Sequence, residues 1–511
     1  MRSRRPVIVL VSLLALASPH ATRAQDLLPE EPPVAGDDAQ RDASTEDYLK
    51  ALDLQRKGRY AAAQDAFQKV LEKWPDSVHR ADIEERSAPN HFAGVECMHG
   101  SGPSARRIDV AVMGDGFTVA AKDQKLEHEW AKLCLDVLWS EASYDEYRDY
   151  FNWWFVRLVS EDEKVDPNLT DEQKAAIDKK NEKRSKKRTY DYSTALDCKA
   201  AGPQGQVMAD RDLVYRWLAV ADRERPGCGD DALVIAFARF GVLGMGGGGV
   251  ANVGRPDKSV TVHEFGHAFV DLLDEYTGNP EAPHYRVHAA NATSDREDVP
   301  WQHFLDAKVK GVGVIEGGAT YSKGVWRPAQ SCAMNAAGAT GYCPVCREAA
   351  VLAIYRYVPP VDTVSPPTST ELHDVEGSET QLVVTPMQPK RHEIDVTWIV
   401  EAVAADAPGP AKVEGATTDA WGGLGRPGGA RSYEDRTAYE DPPPGDPSAL
   451  GERVKPKKGE PVRHAFPVGR LAPGRWRVTA VAKDPTPWVL RDEQHLLEER
   501  VTWWVTVTPK P

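Results

Sequence analysis

Between Val260 and Tyr276 the chain reads VTVHEFGHAFVDLLDEY. His263 and His267 stand four apart, so on a helix they share one face about 6 Å apart along the axis. Phe265, Ala268, Phe269 and Leu272 give that helix an apolar side to bury. Two imidazoles at this spacing reach one metal ion, and Glu264 beside them reaches a water bound to it. A catalytic zinc needs a third ligand and an open position. Asp271, Asp274 and Glu275 are the nearest carboxylates. On a straight helix Asp274 lies about 10 Å beyond His267, so it joins the histidines only if the helix turns or ends first. No glycine between 268 and 273 marks such a break, and Glu281, His284 and His288 remain rivals.

The 511 residues exceed one ordinary core, which implies several domains. The first 24 read as a secretory signal peptide: Arg2, Arg4 and Arg5, an apolar run from Val7 to Ala17, and Thr22-Arg23-Ala24 as a small-residue cleavage site. No later run is long and apolar enough to span a bilayer, so the mature chain is expected to be exported to the periplasm, cell surface or medium without a membrane span. A formal net charge of −14 argues against a nucleic-acid partner. The basic stretch 179–188 follows acidic Glu161, Asp162, Glu163, Asp171 and Glu172, and reads as a solvated insertion. Residues 25–44 form an acidic, disordered linker. In 45–80, Tyr48, Ala51, Leu52, Gly58, Tyr60, Ala63, Phe67 and Pro75 fall at two-helix spacing, like one tetratricopeptide repeat. Such a hairpin packs on the main domain or offers a surface to a protein partner.

Residues 88–360 alternate strands and helices: Ile108–Met113, a helix near 120–140, Phe151–Val159, and an apolar run 233–240 buried on both faces. Gly244-Met-Gly-Gly-Gly-Gly249 lacks the Gly-Lys-Ser/Thr ending of a phosphate loop. It reads either as a surface turn or as a place where a substrate backbone comes close. Seven cysteines in an exported chain suggest disulfides. Cys343-Pro-Val-Cys346 is half of a zinc ribbon with no second pair, so a disulfide role is expected there. Pro359, Pro360, Pro366 and Pro367 read as a linker. In 370–511, alternating runs (381–385, 393–400, 475–482, 501–507) with a Gly/Pro-rich loop near 405–450 read as an immunoglobulin-like β-sandwich.

The helix motif with Leu273-Asp-Glu-Tyr276, Val112-Met-Gly-Asp-Gly-Phe-Thr118, Phe151-Asn-Trp153, Ser331-Cys-Ala-Met-Asn335 and Tyr342-Cys-Pro-Val-Cys-Arg-Glu348 resemble the immunoglobulin-A peptidase family of bacterial zinc metallopeptidases. The resemblance covers most of 105–356. It implies an α/β (α+β), metzincin-like zinc peptidase domain in which the chain turns after the second histidine. It further implies zinc held by His263, His267 and Asp274, with Met334 in a turn beneath the metal. Val270 and Asp271 stand where the family often has small residues, commonly glycine. Tyr276 and Tyr342 are candidates to steady a developing oxyanion, though each also reads as a packed ring.

The expected chemistry is hydrolysis of peptide bonds in a protein substrate, with Glu264 as general base and then acid. Two alternatives use the same sequence. One is a non-catalytic extracellular binding protein on this scaffold; the other is a zinc hydrolase of non-peptide amides.

Overall fold

The computed structural model describes residues 44–57, 59–163, 193–201, 206–239, 243–335, 341–405, 451–454, 456 and 460–511. The signal peptide, the linker up to residue 43, Gly58, Phe240, the basic stretch 179–188 and the Gly/Pro-rich segment 406–450 lie outside the described residues. The described chain is a mixed α+β protein with several sheets.

Among the described residues, eight strands precede the histidine motif: β1 His91–His99, β2 Ile108–Asp115, β3 Phe151–Val159, β4 Lys199–Ala201, β5 Gln206–Met208, β6 Leu233–Ala238, β7 Met245–Gly247 and β8 Val250–Val253. Six of them form one sheet in the order β1-β3-β2-β6-β8-β7, and β4 pairs with β5 separately. The inner strands are parallel, while β1 and β7 run antiparallel at the edges.

Alternation along each strand sends side chains to opposite faces. Val110, Val112, Trp153, Phe155, Ile235 and Phe237 fill one face, beneath the helices Ala121–Leu138 and Lys258–Val270. Ala111, Met113, Trp154, Val156, Val234 and Ala236 fill the other, where the helix Arg211–Glu224 lays Val214, Trp217 and Ala221. Covering on both faces is why Leu233–Ala238 is an unbroken apolar run.

At the N-terminus, helices Thr45–Arg56 and Tyr60–Lys73 bury Ala51, Ala63, Phe67 and Val70, and Ile83 of the helix Arg80–Arg86 joins them. This unit is fastened to the β1–β3 edge. Tyr60 packs with Ala93 and Val159, its hydroxyl accepts from Arg157 at 2.9 Å, and Gln55 donates to the Phe92 carbonyl at 3.4 Å.

After the helix Pro344–Tyr357 come two four-stranded sheets. One holds Val361–Ser365, Gln381–Pro386, Arg463–Pro467 and Glu452–Val454; the other holds Leu372–Val375, Glu498–Thr508, Gly474–Lys483 and Asp395–Val403. Leu382, Val384 and Phe466 of the first meet Trp398, Val478 and Trp503 of the second in one buried cluster. The Trp398 and Phe466 rings lie 5.5 Å apart. The proline-rich stretch read as a linker contains the strand Val361–Ser365, paired with Gln381–Pro386. Its prolines flank the strand, where they remove no ladder hydrogen bond. No described helix is long and apolar enough to cross a membrane.

Candidate functional site

The helix Lys258–Val270 begins at Asp257, whose carboxylate accepts from the N–H groups of Ser259 and Val260 at 2.8 and 3.0 Å. That satisfies donors the first turn leaves unpaired. Phe265 and Phe269 lie 5.4 Å apart on the buried face, which leaves His263 and His267 on the half-exposed side.

The helix stops at Asp271, which takes the left-handed conformation with φ 59° and ψ 30°. The N–H groups of Asp271 and Leu272 both turn back to the Gly266 carbonyl. Asp is among the few side-chain-bearing residues that adopt this conformation readily. The reversal brings Asp274 Oδ1 to 3.0 Å from His263 Nε2 and 3.1 Å from His267 Nε2, and the two Nε2 atoms stand 3.1 Å apart. The outer nitrogens are engaged: His263 Nδ1 lies 2.9 Å from the Ala333 carbonyl and His267 Nδ1 lies 2.5 Å from that of Leu272. With Nδ1 engaged by a carbonyl, each Nε2 points into the cluster, and its lone pair becomes available to a cation when that nitrogen gives up its proton.

These residues fit a metal. Zinc bonds of about 2.0–2.1 Å in tetrahedral geometry put ligand atoms about 3.3 Å apart. Among the described residues the three form one of two groups close enough to hold an ion. Of the rivals, Asp271, Glu281, His284 and His288 are exposed and stand outside it.

The three groups are electrostatically coupled. Burial pushes the Asp274 carboxyl up, but hydrogen bonds from His263 and His267 hold it well below the usual carboxylate range. Burial pushes the His263 ring down, yet Asp274, Glu264 and the Ala333 carbonyl raise it to about 9. Glu264 is buried, which raises its carboxyl, while the two histidines and the Gly246 backbone N–H draw it back.

That contact depends on the edge strand β7. A Cβ on Gly246 would stand 2.2 Å from the Glu264 carbonyl oxygen and 2.8 Å from His267 Cβ, so only glycine lets strand and helix approach this closely. The glycine-rich segment is therefore half strand, against the helix, and half turn, at Gly248 and Gly249.

Met334 is fully buried in the turn that follows Cys332, and its carbonyl accepts from Glu275 N at 2.6 Å. A Cβ on Gly266 would meet its sulfur at 2.8 Å and the Tyr342 hydroxyl at 2.7 Å. Tyr342 is a packed ring whose hydroxyl donates to the Val262 carbonyl at 2.9 Å. Tyr276 differs: it is only partly covered, its ring stacks on His263 at 6.1 Å, and partial burial together with Asp274 raises its hydroxyl.

Sequence reasoning missed the second group, Glu275 with Cys332, Cys343 and Cys346. The signal was the Cys343–Cys346 pair, set aside for want of a second pair; the chain supplies Cys332 and a carboxylate instead.

Comparison with curated proteins finds no match. Residues 97–181, which carry β2, β3 and the helix Ala121–Leu138 ahead of the histidine motif, match the model of the family described as IgA Peptidase M64, in keeping with the resemblance seen in the sequence motifs.

Proposed function

We propose that the chain is an exported zinc-dependent endopeptidase, with zinc held by His263, His267 and Asp274. The observation that carries this reading is the triangle of ligand atoms, none more than 3.1 Å from the next, on a helix that also bears Glu264. When bound, zinc polarises the scissile carbonyl and makes water acidic enough to be deprotonated near neutral pH. Glu264 takes that proton and passes it to the leaving amine. Its burial keeps the proton on this path.

The Tyr276 hydroxyl is the group we assign to the oxyanion, since Tyr342 spends its own on Val262. The outer edge of β7 lies beside the helix and pairs only with β8 among the described residues, so an extended substrate adds there as a further strand. The family match supports a peptide bond as the target.

In the same reading, 1–24 is a signal peptide, 25–44 a linker, 45–80 a tetratricopeptide-like hairpin and 88–360 the metzincin-like peptidase domain. The immunoglobulin-like sandwich of 370–511 gains the strand Val361–Ser365.

The test is Glu264→Gln. It should keep full zinc content and fold, and lower turnover of an unfolded protein substrate by about 10²–10⁴-fold. Undiminished cleavage by this variant would overturn the mechanism. Metal-loaded wild-type protein that cleaves nothing in a broad peptide library would favour the binding-protein alternative.

A further inference from the structure

We propose that Glu275, Cys332, Cys343 and Cys346 bind a second, structural zinc ion, buried beneath the His263–His267–Asp274 site. The proposal stands on these four residues alone and does not rest on the peptidase reading.

All four are buried, and one ligand atom from each lies within 4.8 Å of every other. Zinc–sulfur bonds of about 2.3 Å in tetrahedral geometry set sulfurs about 3.8 Å apart, inside that spread. The Cys346 thiol donates to Glu275 Oε1 at 3.0 Å, and Cys343 N–H points to Cys332 Sγ at 3.3 Å.

Glu275 Oε2 is the second, independent observation. It is buried, has no hydrogen-bond partner, and belongs to a fully buried residue of the cluster. A buried carboxylate oxygen left this way is costly. Asn291 serves the other oxygen, donating to Oε1 at 3.1 Å.

A disulfide does not resolve this arrangement. It consumes two of the three thiols and leaves the third beside an unsatisfied carboxylate. A cation satisfies all four groups at once, and a soft, thiolate-rich set of four protein ligands with no open position is the donor set of structural zinc. Cys343 caps the helix Pro344–Tyr357 and Cys346 lies in its first turn, where the positive end of the helix favours thiolates.

The ligands come from three separate segments, which gives the ion its role. Glu275 follows Asp274 directly. Cys332 precedes Ala333, whose carbonyl lies 2.9 Å from His263 Nδ1. An ion here clamps the turn that delivers Asp274 to the turn that supports His263.

The experiment uses the full chain, purified under reducing conditions, with zinc counted by mass spectrometry. Wild-type protein should hold about two zinc ions per chain, and His263→Ala/His267→Ala should keep about one. That variant, loaded with cobalt, should show a thiolate-to-cobalt charge-transfer band in the near ultraviolet. Glu275→Gln in the same background should weaken cobalt binding while leaving the fold, followed by circular dichroism, in place. The band needs no cysteine variant, so misfolding of a Cys346→Ser protein does not decide the matter. A histidine variant that holds no zinc, cobalt protein without the band, or a disulfide among the three cysteines in native exported protein would each overturn the proposal. Peptidase failure reads out separately, as lost turnover with the zinc count unchanged.

Discussion

His263 shows how much one side chain's surroundings decide. In the metal-free chain its ring is held between Asp274 and Glu264, which together outweigh burial and raise it to about 9. A metal binds only the neutral ring, so cation and proton compete for the same lone pair. The apparent zinc affinity should therefore keep climbing from about pH 6.5, the ordinary histidine value, until the raised value near 9 is passed. Asp274→Asn removes the carboxylate that holds the proton. Its zinc affinity should be weaker throughout, because a ligand is impaired, and should level off at lower pH. Competitive titration with a chromogenic chelator at several pH values measures both curves. A wild-type curve already flat above about pH 7 would refute the account.

One element decides whether the site exists at all: the reversal at the end of the helix Lys258–Val270. The two histidines, the glutamate between them and the apolar face were legible because they obey a fixed period. The paired sheet faces were legible in the same way, as in Leu233–Ala238. The helix end was not legible in the residue pattern, where its usual mark is a glycine and the chain uses Asp271 at φ 59°; only the family resemblance implied a turn there. The strand Val361–Ser365 was hidden similarly, since four prolines around it look like a linker until their positions outside the ladder are known. Cys332 and Glu275 were beyond any spacing rule, being joined to Cys343 and Cys346 by the fold alone.

The turn can be tested directly. Left-handed backbone costs an L-residue roughly 1–2 kcal/mol, which glycine does not incur. Asp271→Gly should raise stability by up to about 1 kcal/mol and keep zinc binding. Asp271→Val, branched at Cβ, should lose about 1–2 kcal/mol or more and bind zinc more weakly as Asp274 shifts. Denaturant unfolding with a zinc titration reads both. Equal stability of the two variants would show that the turn conformation is unimportant.

At the scale of the whole molecule, the C-terminal sheets are joined to the region that bears the histidine helix by a polar network. Lys390 pairs with Asp145 at 2.7 Å, and Arg391 pairs with Glu146 at 2.7 Å. His392 lies between Glu146 and Asp484, at 2.9 and 2.7 Å. Tyr147 donates to Asp484 at 2.8 Å, and Tyr355 donates to the same carboxylate. The helix Ala142–Glu146 that receives these contacts also carries Tyr144, whose ring packs on Phe265 of the histidine helix at 5.3 Å. Docking of the C-terminal sheets thus bears on the site through a short chain of buried aromatics.

Burial lowers the His392 ring, but Asp484 and Glu146 more than reverse this and raise it. Its contribution is complete below about pH 6.5 and is lost as pH rises through the higher folded value. Asp484 runs the other way. Burial raises it, hydrogen bonds led by His392 lower it further, and its contribution is present above about pH 3.9 and lost below. The junction should therefore be firmest in mildly acidic solution and loosen on the alkaline side. Thermal unfolding of wild-type protein should show this as a fall in Tm above about pH 6.5, by about 2–4 °C for each kcal/mol lost. His392→Gln should lie below wild type in acid and converge with it in alkali. Parallel curves for the two proteins across this range would remove His392 from the account and leave the junction to its arginine and lysine pairs.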